Sequence, residues 1–410
     1  MGKVNASDLR TGMILASDAF SSNGRLLLPR GTVLDEQHIR VLKIWGALDA
    51  DIEHVSAGEA QQESLLSIPE HDLAAARQFV DSLFSAANLA SPPMPELHTA
   101  CMKLYVSRLQ AGQTLSTDTF NWNPIPQPDN ISKSSLEEFV NTDKGLASFP
   151  DIYFRISNAL EDPSSTANKL AEVISKDPSI SAKLLSLVNS PFYGFGQRID
   201  SLSRSVALVG AREISQLALG VAVIDLFIGV PDGIISVRGF WQHSVACGVL
   251  NRILASHMQG MQQERCFVIG LLHDIGRLVM LKLAPQHVAW AVNLSRTTGI
   301  SLYLAERTIF GFDHTDVARA LFKRWNLPEE LLDGVAEHHG LNDIPSVEAA
   351  LCSVADTLAI AMGFGANGSI LVRTIPPTIW KTINLPESAI EATILAAERQ
   401  IHDITSIFLS

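Results

Sequence analysis

The feature that most constrains the fold of this 410-residue chain is the helical spacing of its apolar residues from about residue 146 onward. Leu170, Val173 and Ile174 form one stripe, which Asp177-Pro178 interrupts, and the next stripe begins at Ile180. Apolar residues that recur every three or four positions are typical of helices with one buried face. Strand candidates are scarce after residue 60, so the pattern predicts a mainly α fold, a bundle of many short helices. Single helices are predicted near 204–218, 264–283 and 386–408.

The first 55 residues have a different pattern, in which short apolar runs alternate with turn signals. Asn23-Gly24 lies between two such runs, and this pair favours a tight hairpin because both residues tolerate a positive φ. From Asp35 to Trp45 the spacing becomes helical, with Asp35 as the N-cap and Gly46 as the stop. We therefore predict a small β-containing domain over residues 1–55.

Residues 56–145 are acidic, with five basic and eleven acidic side chains that supply −6 of the net charge of −12. Helices are predicted near 71–88 and 96–111, and the proline-rich stretch at 123–128 predicts a linker. We interpret 56–145 as a connector, 146–345 as the main helical domain, and 346–410 as C-terminal helices that pack on it.

Composition excludes several classes of protein. With 47% hydrophobic and 18% charged residues, the chain is globular rather than disordered. Its longest apolar stretch, Leu217–Val230, contains Asp225 and falls short of the roughly 20 residues of a membrane span, so no span is expected. The acidic balance argues against direct nucleic-acid binding. Four widely spaced cysteines and no leader-like N-terminus predict a cytoplasmic chain with reduced, mostly buried thiols.

Histidines and aspartates recur at intervals in the helical part of the chain. The candidate metal ligands are His243, His273, Asp274, His314, His338, His339 and Asp356. Imidazole and carboxylate groups together suit Fe, Mn or Zn, and seven such groups could hold one or two divalent ions. A metal-bound water would then be the nucleophile for a phosphoester.

Structural roles explain some of the same residues. His273-Asp274 interrupts an apolar run, where Asp274 could cap a helix and His273 could bond within the core. His338-His339 closes a predicted helix that Asn326 would cap and Gly340 would stop, where exposed histidines would compensate the helix dipole.

The order His243, then His273-Asp274, then Asp356 resembles the H…HD…D arrangement of the all-helical HD phosphohydrolase superfamily. Within that superfamily, the chain is most similar to the HDOD (HD-related output domain) family over about residues 146–345. The segments that carry this resemblance include Phe149-Pro150, 189–193 (NSPFY), 240–243 (FWQH), 270–277 (GLLHDIGR), 310–314 (FGFDH) and 325–328 (WNLP).

The resemblance implies a bacterial signal-transduction output protein that acts by binding signalling proteins or a ligand rather than by turnover. Residues 1–51 also resemble the unit that precedes some HD-GYP cyclic-di-GMP phosphodiesterases. In those enzymes the seven candidate ligands would hold metal, and Arg277 would contact phosphate. A metal-dependent phosphohydrolase, with cyclic dinucleotides among its candidate substrates, is therefore the alternative.

Three departures separate the chain from HD-GYP enzymes. The GYP motif does not follow His338-His339, Arg277 replaces the lysine of HDxGK, and Gly239 occurs where some members have a bridging glutamate. Arginine is not equivalent to lysine at a phosphate site, because its guanidinium is planar. A further interpretation is a metal or ligand sensor without turnover, in which binding shifts the helical packing.

Overall fold

The computed structural model describes residues 2–6, 8–20, 26–44, 47–53, 69–115, 135–142, 151–162, 164–227, 235–339, 346–365 and 368–409. The predicted mainly α fold with a small N-terminal β part is confirmed. Within these residues every strand lies before residue 53. The predicted proline-rich linker, the Asn23-Gly24 turn, Phe149-Pro150 and the predicted stops at Gly46 and Gly340 lie outside the described residues.

Where the structure describes the chain, four short strands form two antiparallel pairs. Strand β1 (Gly2–Asn5) pairs with β4 (Asp49–Ile52), and β2 (Ala19–Phe20) pairs with β3 (Leu26–Leu28). Ala19 lies opposite Leu28, the register expected if the chain reverses between these strands.

Three helices follow the strands or lie between them: α1 (Glu36–Ile44), α2 (Glu70–Leu83) and α3 (Met94–Gln110). The predicted cap of α1 is confirmed, because Asp35 Oδ1 accepts a hydrogen bond from the His38 backbone N–H at 2.7 Å. Such a bond satisfies one of the N–H groups that the first helical turn leaves without a partner.

Most of the remaining described residues form helices, which range from 6 to 21 residues in length. In order they are α4 (Leu136–Asn141), α5 (Asp151–Glu161), α6 (Ala167–Ile174), α7 (Pro178–Val188), α8 (Leu202–Val209), α9 (Ala211–Leu226), α10 (Val237–Ser256), α11 (Gln263–Leu272), α12 (Ile275–Leu283), α13 (Pro285–Thr298), α14 (Leu302–Phe310), α15 (His314–Arg324), α16 (Glu329–Ala336), α17 (Val347–Ala361), α18 (Pro377–Ile383) and α19 (Ser388–Phe408).

Two predicted helices are each interrupted. The helix predicted near 204–218 divides into α8 and α9 at Gly210, whose φ of 115° is accessible mainly to glycine. The helix predicted near 264–283 divides into α11 and α12 at His273-Asp274. The predicted Asn326 cap was wrong, because Asn326 has a left-handed φ of 51° and Pro328 occupies the N-cap of α16.

The chain divides into two compact units, each built from separate stretches of sequence. The first comprises Met1–Phe120, Ser256–Gly260 and Leu371–Ala396, and the second comprises Asn121–Ala255, Met261–Ile370 and Ala397–Ser410. This differs from the predicted segments 1–55, 56–145, 146–345 and 346–410. Helices α2 and α3 belong with the strands, and residues 371–396 also belong to that unit.

Hydrogen bonds within the first unit give the reason for this grouping. The Val372 backbone N–H donates to the Leu83 carbonyl at 2.9 Å. Lys103 Nζ donates to Asp8 Oδ1 at 2.7 Å and to Glu391 Oε1 at 2.9 Å. The two Lys103 bonds join three distant parts of the sequence around one ammonium group.

In the second unit, two glycines allow helices to approach closely. A Cβ on Gly270 of α11 would lie 2.7 Å from the Cys247 carbonyl oxygen of α10. A Cβ on Gly276 of α12 would overlap the His314 carbonyl oxygen of α15 and lie 2.9 Å from the Ala318 nitrogen. Both approaches bring helix backbones together beside His273 and Asp274.

Among the described residues, no helix taken singly has the length and apolar character of a membrane span. In the same part of the chain, one pair, α8 with part of α9, meets that test together, and its two helices are bent by 117°.

Candidate metal centre

The second unit gathers all seven predicted ligands into one cluster. His243 lies on α10, His273 and Asp274 occupy the break between α11 and α12, and Asp356 lies on α17. The other three come from the start of α15 and the turn after α16: His314, His338 and His339. The interruption of the predicted 264–283 helix therefore places two polar side chains at the centre of the cluster.

The first group of ligands is centred on two imidazole nitrogens. His243 Nε2 lies 3.3 Å from His273 Nε2 and 3.1 Å from Asp356 Oδ1. His273 Nε2 in turn lies 3.3 Å from Asp274 Oδ2. Asp356 Oδ1 is buried and, among the described residues, has no well-directed hydrogen bond.

The second group is a set of three histidines. His314 Nε2 lies 3.1 Å from His339 Nε2 and 3.5 Å from His338 Nε2. Asp274 connects the two groups, because its Oδ1 lies 3.1 Å from His314 Nε2 while its Oδ2 faces His273.

Backbone carbonyls fix the orientation of three of these rings. The Nδ1 atoms of His243, His273 and His338 lie 2.9, 2.7 and 2.6 Å from the carbonyl oxygens of Phe364, Gly270 and Val335. A carbonyl can only accept, so each Nδ1 carries the proton and donates it. In the neutral rings Nε2 then presents a lone pair to the cluster, which is the arrangement that metal-binding histidines use.

A buried ion network surrounds the Asp274 side of the cluster. Arg277 is only 2% exposed and forms an ion pair with Asp274. Its Nε also donates to Glu306 Oε1 at 2.7 Å. Glu306 Oε2 lies 2.5 Å from His314 Nδ1 and accepts from the His314 backbone N–H at 3.1 Å. The guanidinium of Arg277 is thus held between two carboxylates.

The carboxylates of the cluster are kept ionised. Burial opposes the charge of Asp274, but Arg277, His273 and His314 outweigh it and hold the Asp274 pKa well below its ordinary value. Burial is likewise outweighed at Asp356 by His243 and His273, which lower its pKa. Two ionised carboxylates among these side chains favour a positive charge in the cluster.

The surroundings shift the pKa values of the histidines in opposite directions. Burial opposes protonation of His273, but the charge of Asp274 and bonds to Asp274 and Asp356 raise its pKa well above the ordinary value. Burial, with the charges of His273 and His314, lowers the pKa of His338 to about 3. Burial and the neighbouring His338 and His314 also lower the pKa of His339.

These features fit a divalent cation. The Nε2 atoms of His243 and His273 lie 3.3 Å apart, and the Nδ1 atom of each ring already donates to a carbonyl. The two Nε2 lone pairs repel each other unless a proton or a cation lies near them. A buried carboxylate oxygen without a well-directed hydrogen bond also calls for a positive partner. His243, His273, Asp274 and Asp356 could hold one ion, and His314, His338 and His339 offer a second set of nitrogen atoms.

The structure also decides between the interpretations of single residues. His338 is fully buried, so it is not an exposed histidine that compensates a helix dipole. Asp274 occupies the N-cap of α12, but its side chain makes no capping bond.

Sequence reasoning missed Glu306, although a signal was present. Leu302, Ala305, Glu306 and Ile309 lie on one buried face of α14, so Glu306 is a charged residue inside an apolar stripe. A buried carboxylate needs a partner, which the structure supplies in Arg277 and His314.

Residues 146–341 match the HDOD domain family. An uncharacterized protein of Treponema pallidum (strain Nichols) is 25% identical over 210 residues, which are 51% of this chain and 40% of that protein. The chain therefore spans about two fifths of the length of this relative.

Solved structures share the fold. An HDOD domain protein of unknown function from Geobacter sulfurreducens gives a TM-score of 0.52 at 24% identity, over 67% of this chain and 95% of that one. A proposed signal transduction protein from Marinobacter aquaeolei VT8 gives a TM-score of 0.54 at 19% identity. This match covers 81% of this chain and 69% of that one. Neither bears on the predicted HD-GYP-like character of residues 1–51, which stays a prediction.

Proposed function

We propose, starting from the HDOD domain that residues 146–341 form, that this protein is a regulatory output protein that acts through binding rather than turnover. In this proposal the ligand cluster holds a divalent metal ion that stabilises one arrangement of the surrounding helices. The partners are other signalling proteins in the bacterial cytoplasm.

The observation that carries the proposal is that Arg277 is already bound by two carboxylates of the protein. In the phosphohydrolase alternative, the guanidinium of Arg277 would have to reach the phosphate of the substrate. Arg277 is almost fully buried, and both Asp274 and Glu306 bind its guanidinium. Freeing this side chain would remove the arginine from two buried carboxylates, which is costly.

The burial of the ligands supports the same proposal. His243, His273 and His338 are fully buried, and the side chain of Asp356 is only 16% exposed. His339 is partly exposed, so a substrate would have to reach the cluster past these last two residues. Such a site suits a structural or sensing ion better than one that exchanges substrate and product.

In the favoured arrangement, His243, His273, Asp274 and Asp356 would hold the metal. A divalent ion there would supply positive charge and, in an enzyme, would activate water. The chain's own residues hold the ring tautomers, through the carbonyls of Phe364 and Gly270, and exclude solvent.

One observation favours the alternative of a metal-dependent phosphohydrolase. The complete set of HD-type ligands lies together, and the three histidines of the second group offer a place for a second ion. Two-metal sites are frequent in phosphoester hydrolysis. The two functions must therefore be separated by measurement.

The experiment combines metal analysis with a turnover assay on the full chain. The protein is purified without added metal, its Fe, Mn and Zn contents are measured, and phosphomonoesters and phosphodiesters including cyclic-di-GMP are then tested. We expect bound metal at about one ion per chain or more, reduced in Asp356→Asn, and no hydrolysis of any substrate. His287→Gln is the control, because His287 is a partly buried histidine of the same unit that is outside the ligand groups.

Each outcome has a defined meaning. Hydrolysis that persists in His287→Gln and disappears in Asp356→Asn would replace the proposal with the phosphohydrolase. Absence of metal, together with retained fold, would remove the metal from the proposal and contradict it in this form.

A further inference from the structure

Two buried cysteines lie one helical turn from the candidate ligands. Cys247 follows His243 by four residues on α10, and Cys352 precedes Asp356 by four residues on α17. Residues four apart on a helix lie on the same face, so each thiol faces the side on which its neighbouring ligand lies.

The two thiols meet at His273. One ligand atom each from Cys247, His273 and Cys352 lie within 4.8 Å of one another, and all three residues are fully buried. Cys247 Sγ also lies 4.0 Å from the Cys352 carbonyl oxygen. Cys266 is another buried free cysteine of this unit, but it belongs to none of the ligand groups found among the described residues.

The close approach of α10 and α11 produces this arrangement. The Cys247 carbonyl packs against Gly270, where no side chain separates the two backbones. Gly270 also accepts the His273 Nδ1 hydrogen bond. The same short segment therefore brings Cys247 to the cluster and orients the ring of His273.

We propose that Cys247 and Cys352 form, with His273, a sulfur-containing side of the metal centre that selects a thiophilic divalent cation. The inference rests on the proposed metal-binding function and narrows it. Zinc or iron(II) would be preferred over manganese, because thiolate ligands favour softer ions. Each thiol that binds the cation releases its proton to solvent, and no oxidation is involved.

Cobalt(II) provides a spectroscopic test. The metal-free full chain is titrated with Co²⁺, which shows near-ultraviolet sulfur-to-metal charge-transfer absorption only when thiolate is bound. We expect this absorption to appear in step with the visible bands of the bound ion. Zn²⁺ should displace Co²⁺, whereas equimolar Mn²⁺ should not.

Single substitutions assign the sulfur atoms. Cys247→Ser and Cys352→Ser should each reduce the charge-transfer absorption and weaken Zn²⁺ binding by more than the ~10–100-fold that is typical of a residue that only orients a ligand. Cys266→Ser is the matched control and should leave both unchanged. Circular dichroism checks the fold of each variant, and Cys→Ala versions replace any serine variant that does not fold.

The outcomes distinguish this inference from the proposed function. Visible Co²⁺ bands without charge-transfer absorption in the wild-type chain would show a metal site without sulfur, overturning the inference and leaving the proposed function intact. Absorption that survives both substitutions would also overturn it. Absence of any bound Co²⁺ or Zn²⁺ would overturn both.

Discussion

At the scale of one residue, the neighbours of Arg277 limit what its side chain can contact. Only the phosphohydrolase alternative would make Arg277 a phosphate contact, and in the structure two carboxylates bind it and it is almost fully buried. The motif identified seven candidate ligands because their order and spacing are visible in the sequence. It could not identify Glu306, whose role depends on the packing of α14 against two other helices.

The depressed pKa values of His338 and His339 predict a pH-dependent stability for the metal-free protein. Unfolded histidine takes up a proton near pH 6.5, whereas these two residues stay neutral in the fold. The unfolded state therefore binds more protons below pH 6.5, and stability falls as the pH falls. The slope is up to about 1.4 kcal/mol per pH unit for each residue. His273 has a raised pKa, so the stability that its protonation contributes is lost only as the pH rises above 6.5.

His339→Gln isolates one of these residues. The free energies of unfolding of wild type and variant are measured by urea denaturation with a chelator present. Lowering the pH from 6.5 to 5 should reduce the free energy of unfolding of wild type by up to about 2 kcal/mol more than that of the variant. A difference independent of pH would contradict the assignment of a depressed pKa to His339.

At the scale of the helix, apolar spacing predicted where helices occur more reliably than where they break. The single helix expected near 264–283 has apolar residues on both sides of His273-Asp274, so periodicity alone did not reveal the break. The break places Asp274 against partners distant in sequence, such as His314, whose Nε2 lies 3.1 Å from Asp274 Oδ1. Helices α1 and α19 were predicted well because local caps and long apolar stripes define them.

Gly276 tests whether the approach of α12 to α15 is required. Gly276→Ala should destabilise the second unit by at least about 1–3 kcal/mol, because the new methyl group overlaps the His314 backbone. It should also weaken metal binding, because His314 must shift and its Nε2 lies 3.1 Å from Asp274 Oδ1. Thermal unfolding and metal titration measure the two effects.

Gly196→Ala is the control for this substitution, because no atom lies within 4 Å of the position that its new methyl group would take. Equal stability of the two variants would show that α12 and α15 can separate without cost.

At the scale of the whole molecule, each unit is assembled from stretches distant in sequence. Composition and motif order predicted the fold class and the resemblance to the HDOD family, which residues 146–341 match. They did not predict that residues 371–396 join the first unit, because an apolar helix pattern does not specify its partner. The contacts of Val372 and Glu391 supply that information.

Substitution of Lys103 tests how much this assembly contributes to the stability of the first unit. Lys103→Ala should destabilise the first unit by about 3–5 kcal/mol, because Asp8 and Glu391 would remain buried without their cation. Lys3→Ala is the control: the Lys3 side chain is 68% exposed and 3.7 Å from Asp49, so its loss should cost less than about 1 kcal/mol. Urea denaturation compares the two, and similar losses would contradict the predicted role of Lys103.

The interval between Lys103 and Glu391 has a consequence for synthesis on the ribosome. The two residues are 288 positions apart. At about 5–20 residues per second, translation of that interval takes roughly 15–60 s. During that time Lys103 and Asp8 exist in the nascent chain without the second carboxylate of their ion network. The first unit begins to be made before the second, yet it can be completed only after most of the second has been translated.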